Sequence, residues 1–304
     1  MLRKITHTII DDIGAVLGGL VYRKNQLFNE SLDAMKLGEA IRDTKLSVNG
    51  FDSNDWVKAT SKNPMGNYQS SYLVHQWKGF DYPTLLFVHG SGEQPYDFRK
   101  NASNTFNKIF TDDFSLEANL ILLMAPFHES SQNDYIKALG RMDNYVGMLA
   151  TTTALIDALA LALSENKNPK ILAIGISLGG WVVNLHRAYF NRHIDHYIPM
   201  IAAARLDQVF ITSIYRKIVA ENALENSELL KDLLDFEEDF ISATGDNCTP
   251  LLARYDRLVE YEVQKSAYER MPLTVIDKGH FLGMTAIGSF RKQIQEAMNS
   301  FSPQ

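Results

Sequence analysis

The sequence predicts an α/β protein, with a mainly parallel central sheet flanked by helices and a helical insertion late in the chain. Three observations predict it. Short, continuous apolar runs of the kind found in strands buried on both faces alternate with longer helical stretches. The interval from about 205 to 247 is far longer than the ~2 to 6 residues of an ordinary α/β connection. And Gly175-Ile176-Ser177-Leu178-Gly179, followed by Gly180, lies between an apolar run and a helical stretch, where Gly-x-Ser-x-Gly makes a turn so sharp that only small residues fit around the serine.

The elements follow in order. Ile9, Ile13, Leu17, Leu20 and Val21 recur at helical spacing, and a second helical pattern runs from Ser31 to Ile41. This first stretch, residues 1–69, reads as a helical extension, a cover or an oligomer contact, and carries no motif. Tyr72 to Trp77 reads as a strand, and Asp81-Tyr82-Pro83 turns the chain into the buried strand Thr84 to Val88. Leu120 to Met124, Ile171 to Ile174, Tyr197 to Ala203, Pro250 to Ala253 and Leu273 to Ile276 complete the strands. Helices are expected around Asn101 to Phe110, Tyr145 to Ser164, Leu178 to Phe190, Leu258 to Arg270 and Thr285 to Phe301. In the insertion, Leu224, Leu229, Leu230, Leu233 and Leu234 stand at helical spacings beside Glu228, Asp232, Asp235, Glu237, Glu238 and Asp239. That pattern is an amphipathic helical pair with a solvated acidic face. No repeat, low-complexity tract or linker divides the chain, so one domain with an insertion is expected.

Composition narrows the partners. The 304 residues are 45% hydrophobic and 22% charged, enough apolar material for a large core. A formal charge of -6 and a pI near 5.8 give no basis for nucleic acid or an anionic membrane as the main partner, and a small neutral ligand fits better. Cys248 is the only cysteine; it permits no internal disulfide, suits a reducing compartment and reads as a small buried hydrophobe. Met1-Leu2-Arg3-Lys4 and the apolar stretch Ile13 to Tyr22 superficially resemble a secretory signal, but Asp11 and Asp12 interrupt it and no clear cleavage site follows. The run is also short of the ~20 residues of a membrane span, so a cytoplasmic protein without an integral membrane segment is expected.

A serine hydroxyl is a weak nucleophile unless a base takes its proton, so Ser177 needs a histidine and an orienting carboxylate. Asp256 follows the apolar run Pro250 to Ala253, and His280 follows Leu273 to Ile276. Sites in open α/β sheets collect at the carboxyl ends of strands, which would bring Ser177, Asp256 and His280 to one edge. Glu260, Glu262 and Asp277 are rival acids near strand ends, and His128 and Glu129 are candidates for the pocket mouth. His89 reads as a structural loop histidine, and His186, His193 and His196 as residues on or after the helix that follows Ser177. A metal at His193 and His196 wants a third ligand. Gly90-Ser91-Gly92 is too short for a dinucleotide fingerprint and there is no P-loop, so no metal or nucleotide cofactor is implied.

From about Ser70 onward the chain resembles the α/β-hydrolase superfamily, whose triad runs Ser, then Asp or Glu, then His. Val88-His89-Gly90-Ser91-Gly92 closes the first long buried strand, as the His-Gly motif of that superfamily closes its third strand. The resemblance implies an oxyanion hole formed by the backbone N–H groups of Leu178 and Ser91, and a helical cap over the pocket at about 205–247. It also implies hydrolysis of a small or acyl-chain carboxylic ester through an acyl-enzyme. Thioesters and peptides use the same machinery, and a non-catalytic ligand-binding protein could keep the fold, so these stay open at this point.

Overall fold

The structure, a computed structural model, describes residues 8, 10–12, 25–111, 113–166, 170–202 and 204–300. Eight strands form one sheet in the order β1-β2-β4-β3-β5-β6-β7-β8. They are β1 Val57–Asn63, β2 Gly66–Gln76, β3 Thr84–Val88, β4 Asn119–Met124, β5 Ile171–Ile176, β6 His196–Met200, β7 Leu251–Ala253 and β8 Thr274–Ile276. β2 runs antiparallel to β1 and β4, and all other pairs are parallel. β3, β4 and β5 are buried at every position, which is why they read as unbroken apolar runs.

Within those strands the alternation of side chains separates two cores. Leu85, Phe87, Leu120, Leu122, Leu172 and Ile174 pack on one face, with helices Thr105–Ile109 and Ile287–Asn299 above them. Leu86, Val88, Ile121, Leu123, Ile171 and Ala173 pack on the other, under helices Met142–Glu165 and Leu178–Tyr189. Met142–Glu165 is long and apolar enough to cross a membrane, but most of it is buried inside the protein. Its three consecutive threonines avoid unpaired hydroxyls in that core: Thr152 and Thr153 bond back to the carbonyls of Met148 and Leu149, and Thr151 meets Ser61 at 2.7 Å.

Several elements differ from the sequence expectation. The hairpin β1–β2 begins well before Tyr72, because β1 buries Ala59, Ser61 and Asn63 while exposing Lys58, Thr60 and Lys62. Polar residues on the inner face hide its alternation; Asn63 is satisfied by Thr44 Oγ1 at 2.7 Å. Residues 32–36 are not helical, and the helix expected from Ser31 forms only over Leu37–Asp43. The stretch Leu258 to Arg270 breaks into Tyr261–Gln264 and a 3-10 turn, Lys265–Tyr268, where the Gln264 side chain turns inward to exchange two hydrogen bonds with the Arg205 backbone. Of the helical pattern from Ile9 to Val21, Ile9, Ile13, Leu17, Leu20 and Val21 lie outside the described residues.

Between β6 and β7 the chain forms helices Leu206–Ile211, Glu221–Glu225, Ser227–Leu234 and Glu237–Ser242, with a 3-10 turn at Ile214–Ile218. Ser227–Leu234 buries Leu230, Leu233 and Leu234 and leaves Glu228, Leu229 and Asp232 exposed. Arg187, fully buried on Leu178–Tyr189, ties this region down by donating to the carbonyls of Phe240, Ala243 and Gly245, each at 3.0 Å.

Candidate active site

β3 pairs with β4 on one side and β5 on the other, so the chain reverses its direction of travel across the sheet at β3. Crevices at such switch points are where open α/β sheets bind ligands. The register sets Val88 opposite Gly175, which brings the loop after β3 beside the turn after β5.

That turn is forced by its glycines. A Cβ on Gly175 would lie 2.1 Å from the Gly179 carbonyl oxygen, one on Gly179 2.1 Å from that of Val88, and one on Gly180 2.4 Å from the Ala202 Cβ. The close packing leaves Ser177 at φ 51°, ψ -113°, a conformation that costs a non-glycine residue about 1 to 3 kcal/mol. Helix Leu178–Tyr189 starts immediately after it, aiming its first amides at the space around the serine.

Asp256 and His280 arrive from the loops after β7 and β8. Asp256 Oδ1 accepts from the amides of Leu258 and Val259 at 2.8 and 2.7 Å, and Oδ2 lies 2.7 Å from His280 Nδ1. A carboxylate only accepts, so Nδ1 carries the proton and Nε2 is left to accept. Nε2 lies 3.2 Å from Ser177 Oγ. The side chain of Asp256 is fully buried, and His280 nearly so. Burial pulls the His280 pKa down, but Asp256, by charge and hydrogen bond, and Asp11, by charge, outweigh it, and the net shift is upward.

The rival acids are engaged elsewhere. Asp277 bonds Arg254 at 2.8 Å, Glu262 pairs with Lys265, and Glu260 meets the Thr212 hydroxyl at 3.5 Å. His186 bonds the Tyr197 hydroxyl and His196 the Thr249 hydroxyl, while His193 is exposed. The Cys248 thiol is buried, and burial pushes its pKa up to about 12.

On the opposite side of Ser177, two histidines brace the loop after β3. His89 Nε2 accepts from the Ala125 amide at 3.1 Å, so its Nδ1 donates to the Gly90 carbonyl at 2.8 Å. His128 Nδ1 donates to the Pro126 carbonyl and Nε2 accepts from the Gly92 amide at 3.3 Å. Their rings are 4.4 Å apart. Burial holds His89 down at about 4 and His128 well below its usual range, so both are neutral supports. His128 therefore lies behind the loop, not at the pocket mouth, and Glu129 is exposed. Among the described residues, the N–H groups of Ser91 and Leu178 have no acceptor. Ser91 Oγ meets the Tyr135 hydroxyl at 2.5 Å.

A cavity opens over Ser177, lined by Leu27, Leu139, Phe210, Leu258 and Val259 among others.

Asp11 is a site residue that the sequence reading misses. Fully buried, it accepts from the amides of Arg257 (3.1 Å) and His280 (2.8 Å) at Oδ2 and of Phe281 (3.2 Å) at Oδ1. In the sequence it reads only as an interruption in an apolar run. One weak signal existed: Gly279 precedes His280, and a Cβ there would lie 2.7 Å from the Asp11 carboxylate.

No protein-family model and no curated protein matches the chain. Solved structures do. An esterase from Pyrococcus furiosus superposes with a TM-score of 0.54 at 14% identity over 84% of this chain and 95% of that one. An acetyl xylan esterase from a Thermoanaerobacterium species gives 0.54 at 11% identity, over 88% and 97%. The acylaminoacyl peptidase of Pyrococcus horikoshii gives 0.54 at 12% over 79% of this chain and 41% of that one. The chain has the α/β-hydrolase fold. At these identities the likeness is one of fold, and any chemistry rests on this chain's own residues.

Proposed function

We propose that this α/β hydrolase is a cytoplasmic serine hydrolase that cleaves small carboxylic esters through an acyl-enzyme. The observation that carries the reading is the relay from Ser177 Oγ to His280 Nε2 at 3.2 Å and from His280 Nδ1 to Asp256 at 2.7 Å. Ser177 attacks the ester carbonyl while His280 takes its proton; His280 then gives that proton to the departing alcohol. Water, deprotonated by the same nitrogen, releases the acid. Asp256 holds the tautomer and stabilises the imidazolium, and the amides of Leu178 and Ser91 hold the oxyanion.

Losing one such donor costs about 3 to 4 kcal/mol of transition-state stabilisation, so much of the rate comes from two main-chain groups that cannot titrate. The mostly apolar lining of the cavity, with Leu27, Leu139, Phe210 and Leu258 in it, supports an acyl group over a polar peptide chain. The helices of 205–247 act as its cap, with Val209, Phe210 and Tyr215 lining it.

The test is pre-steady-state hydrolysis of 4-nitrophenyl acetate. The expected result is a burst of nitrophenol equal to the enzyme concentration that disappears in Ser177→Ala. Steady release without a burst, at the same rate in both proteins, would remove the proposal.

A further inference from the structure

The wall of the cavity over Ser177 includes two polar side chains that ester cleavage itself does not use. Trp181, on the first turn of the helix after the nucleophile, and Tyr145, on Met142–Glu165, both line it. Both bury their polar atoms, and neither the Trp181 Nε1–H nor the Tyr145 hydroxyl has a hydrogen-bond partner among the described residues. Buried polar groups are nearly always paired, and an orphan in a cavity wall asks for a partner that comes from outside. An indole N–H can only donate, so that partner is an acceptor.

It is also neutral. Among the described residues no Lys or Arg lines the cavity, so none of them offers a carboxylate or phosphate a countercharge. Burial raises the pKa of the Tyr135, Tyr145 and Tyr215 phenols around it, which keeps them protonated beside whatever enters. The acyl group, not the alcohol, is the part held through both half-reactions, so the enclosed site belongs to it.

Resting on the serine-hydrolase reading, we infer that the preferred acyl group carries a neutral oxygen acceptor, an ether, hydroxyl or keto oxygen close to the scissile carbonyl, received by Trp181 and Tyr145. The experiment compares 4-nitrophenyl methoxyacetate with the isosteric butyrate, each kcat/KM divided by that ester's rate of alkaline hydrolysis. The expected normalised preference for methoxyacetate is at least about tenfold. Trp181→Phe and Tyr145→Phe should each shrink it, with Tyr145→Phe keeping the parent Tm because its hydroxyl bonds none of the described residues. Equal normalised values, or a preference untouched by both substitutions, overturn the inference while leaving the hydrolase intact. Turnover of neither ester, with no labelling of Ser177 by a fluorophosphonate, removes the underlying reading and the inference with it.

A second observation stands independently. The Asp11 carboxylate binds amides from two loops at once: Arg257, next to Asp256, and His280 with Phe281. It therefore clamps the acid loop to the histidine loop, and sets the separation of the two groups that must share a proton. We propose that Asp11 is a positioning residue, through which the N-terminal segment holds His280 against Asp256. His280 faces Asp256 from the loop after β7, Asp11 from the N-terminal segment and Ser177 from the elbow. Nearby, Arg257 pairs with Asp12 at 3.6 Å, and the Glu260 carboxyl senses Asp256.

Asp11→Asn keeps the shape but loses the charge and turns an amide donor toward backbone donors. The expected result is a fall in kcat of about 10- to 100-fold with KM little changed. Removing this negative charge should also shift the acid limb of the kcat/KM profile to lower pH. A lower Tm with kcat and the limb unchanged would assign Asp11 a purely structural role and overturn the proposal, as would no change in any of them. Asp11→Ala, which adds no opposing donor, separates the clash from the lost charge: its limb must move in the same direction.

Discussion

On one side of Ser177, His89 and His128 pack ring to ring under the loop after β3; on the other, His280 stands between Asp256 and Asp11. All three are buried, and burial pulls each pKa down. For His89 and His128 nothing opposes it strongly, and they remain neutral. For His280 two carboxylates reverse the sign. Burial alone thus makes a histidine a prop, and a buried carboxylate turns the same side chain into a base poised to take a proton.

The largest break in that contrast comes from Asp256→Asn. Without the carboxylate, Nδ1 loses its fixed proton and Nε2 no longer accepts reliably from Ser177. Ester hydrolysis should fall by about 10⁴-fold, and His280 should titrate below its parent value, like the other pair. An activity within a few-fold of the parent's, measured by kcat with a short 4-nitrophenyl ester, would mean another acid orients the ring.

Next in size is Gly179→Ala, which attacks the joint between the two sides. Its Cβ meets the Val88 carbonyl oxygen at 2.1 Å, so the loop after β3 must move away from the elbow. Overpacking of this kind costs about 1 to 3 kcal/mol, and thermal unfolding should show it together with a loss of kcat from the displaced Ser91 amide. Full activity at the parent Tm would mean the loop and the elbow are not packed as described.

The smallest effect is the pH dependence of stability. His89 and His128 have folded pKa values below the unfolded 6.5, so their contribution is present above about pH 6.5 and is lost as pH falls below it, toward about 4 for His89. His280 has a raised value, so its contribution is full below about 6.5 and is lost as pH rises through the folded value. His128→Asn should therefore make the fall in Tm on the acid side shallower while leaving the alkaline side alone. An unchanged acid slope would show that His128 is not held neutral.

The same two sides differ in how far the sequence revealed them. The elbow, the order Ser177, Asp256, His280 and the loop from His89 to Gly92 were legible because each follows an apolar run, fully buried in β3, β5 and β7 and partly exposed in β8, where the run stops and chemistry starts. The roles of Asp11 and His128 were not, because each depends on a contact across a long separation: Asp11 and His280 are 269 residues apart, and the His128 ring meets Gly92 36 residues away. β1 was missed for a related reason, since Ser61 and Asn63 are buried polar residues whose partners Thr151 and Thr44 lie elsewhere in the chain. The orphaned polar atoms of Trp181 and Tyr145 appear only when the cavity does.

The most direct test of the central claim, that His280 activates Ser177 from a raised pKa, is the pH dependence of fluorophosphonate labelling followed by mass spectrometry. The expected result is a single adduct on Ser177, a labelling rate that rises through a midpoint above 6.5, and a midpoint that drops in Asp256→Asn. An adduct on another residue, no adduct on folded protein, or a parent midpoint below 6.5 would contradict it.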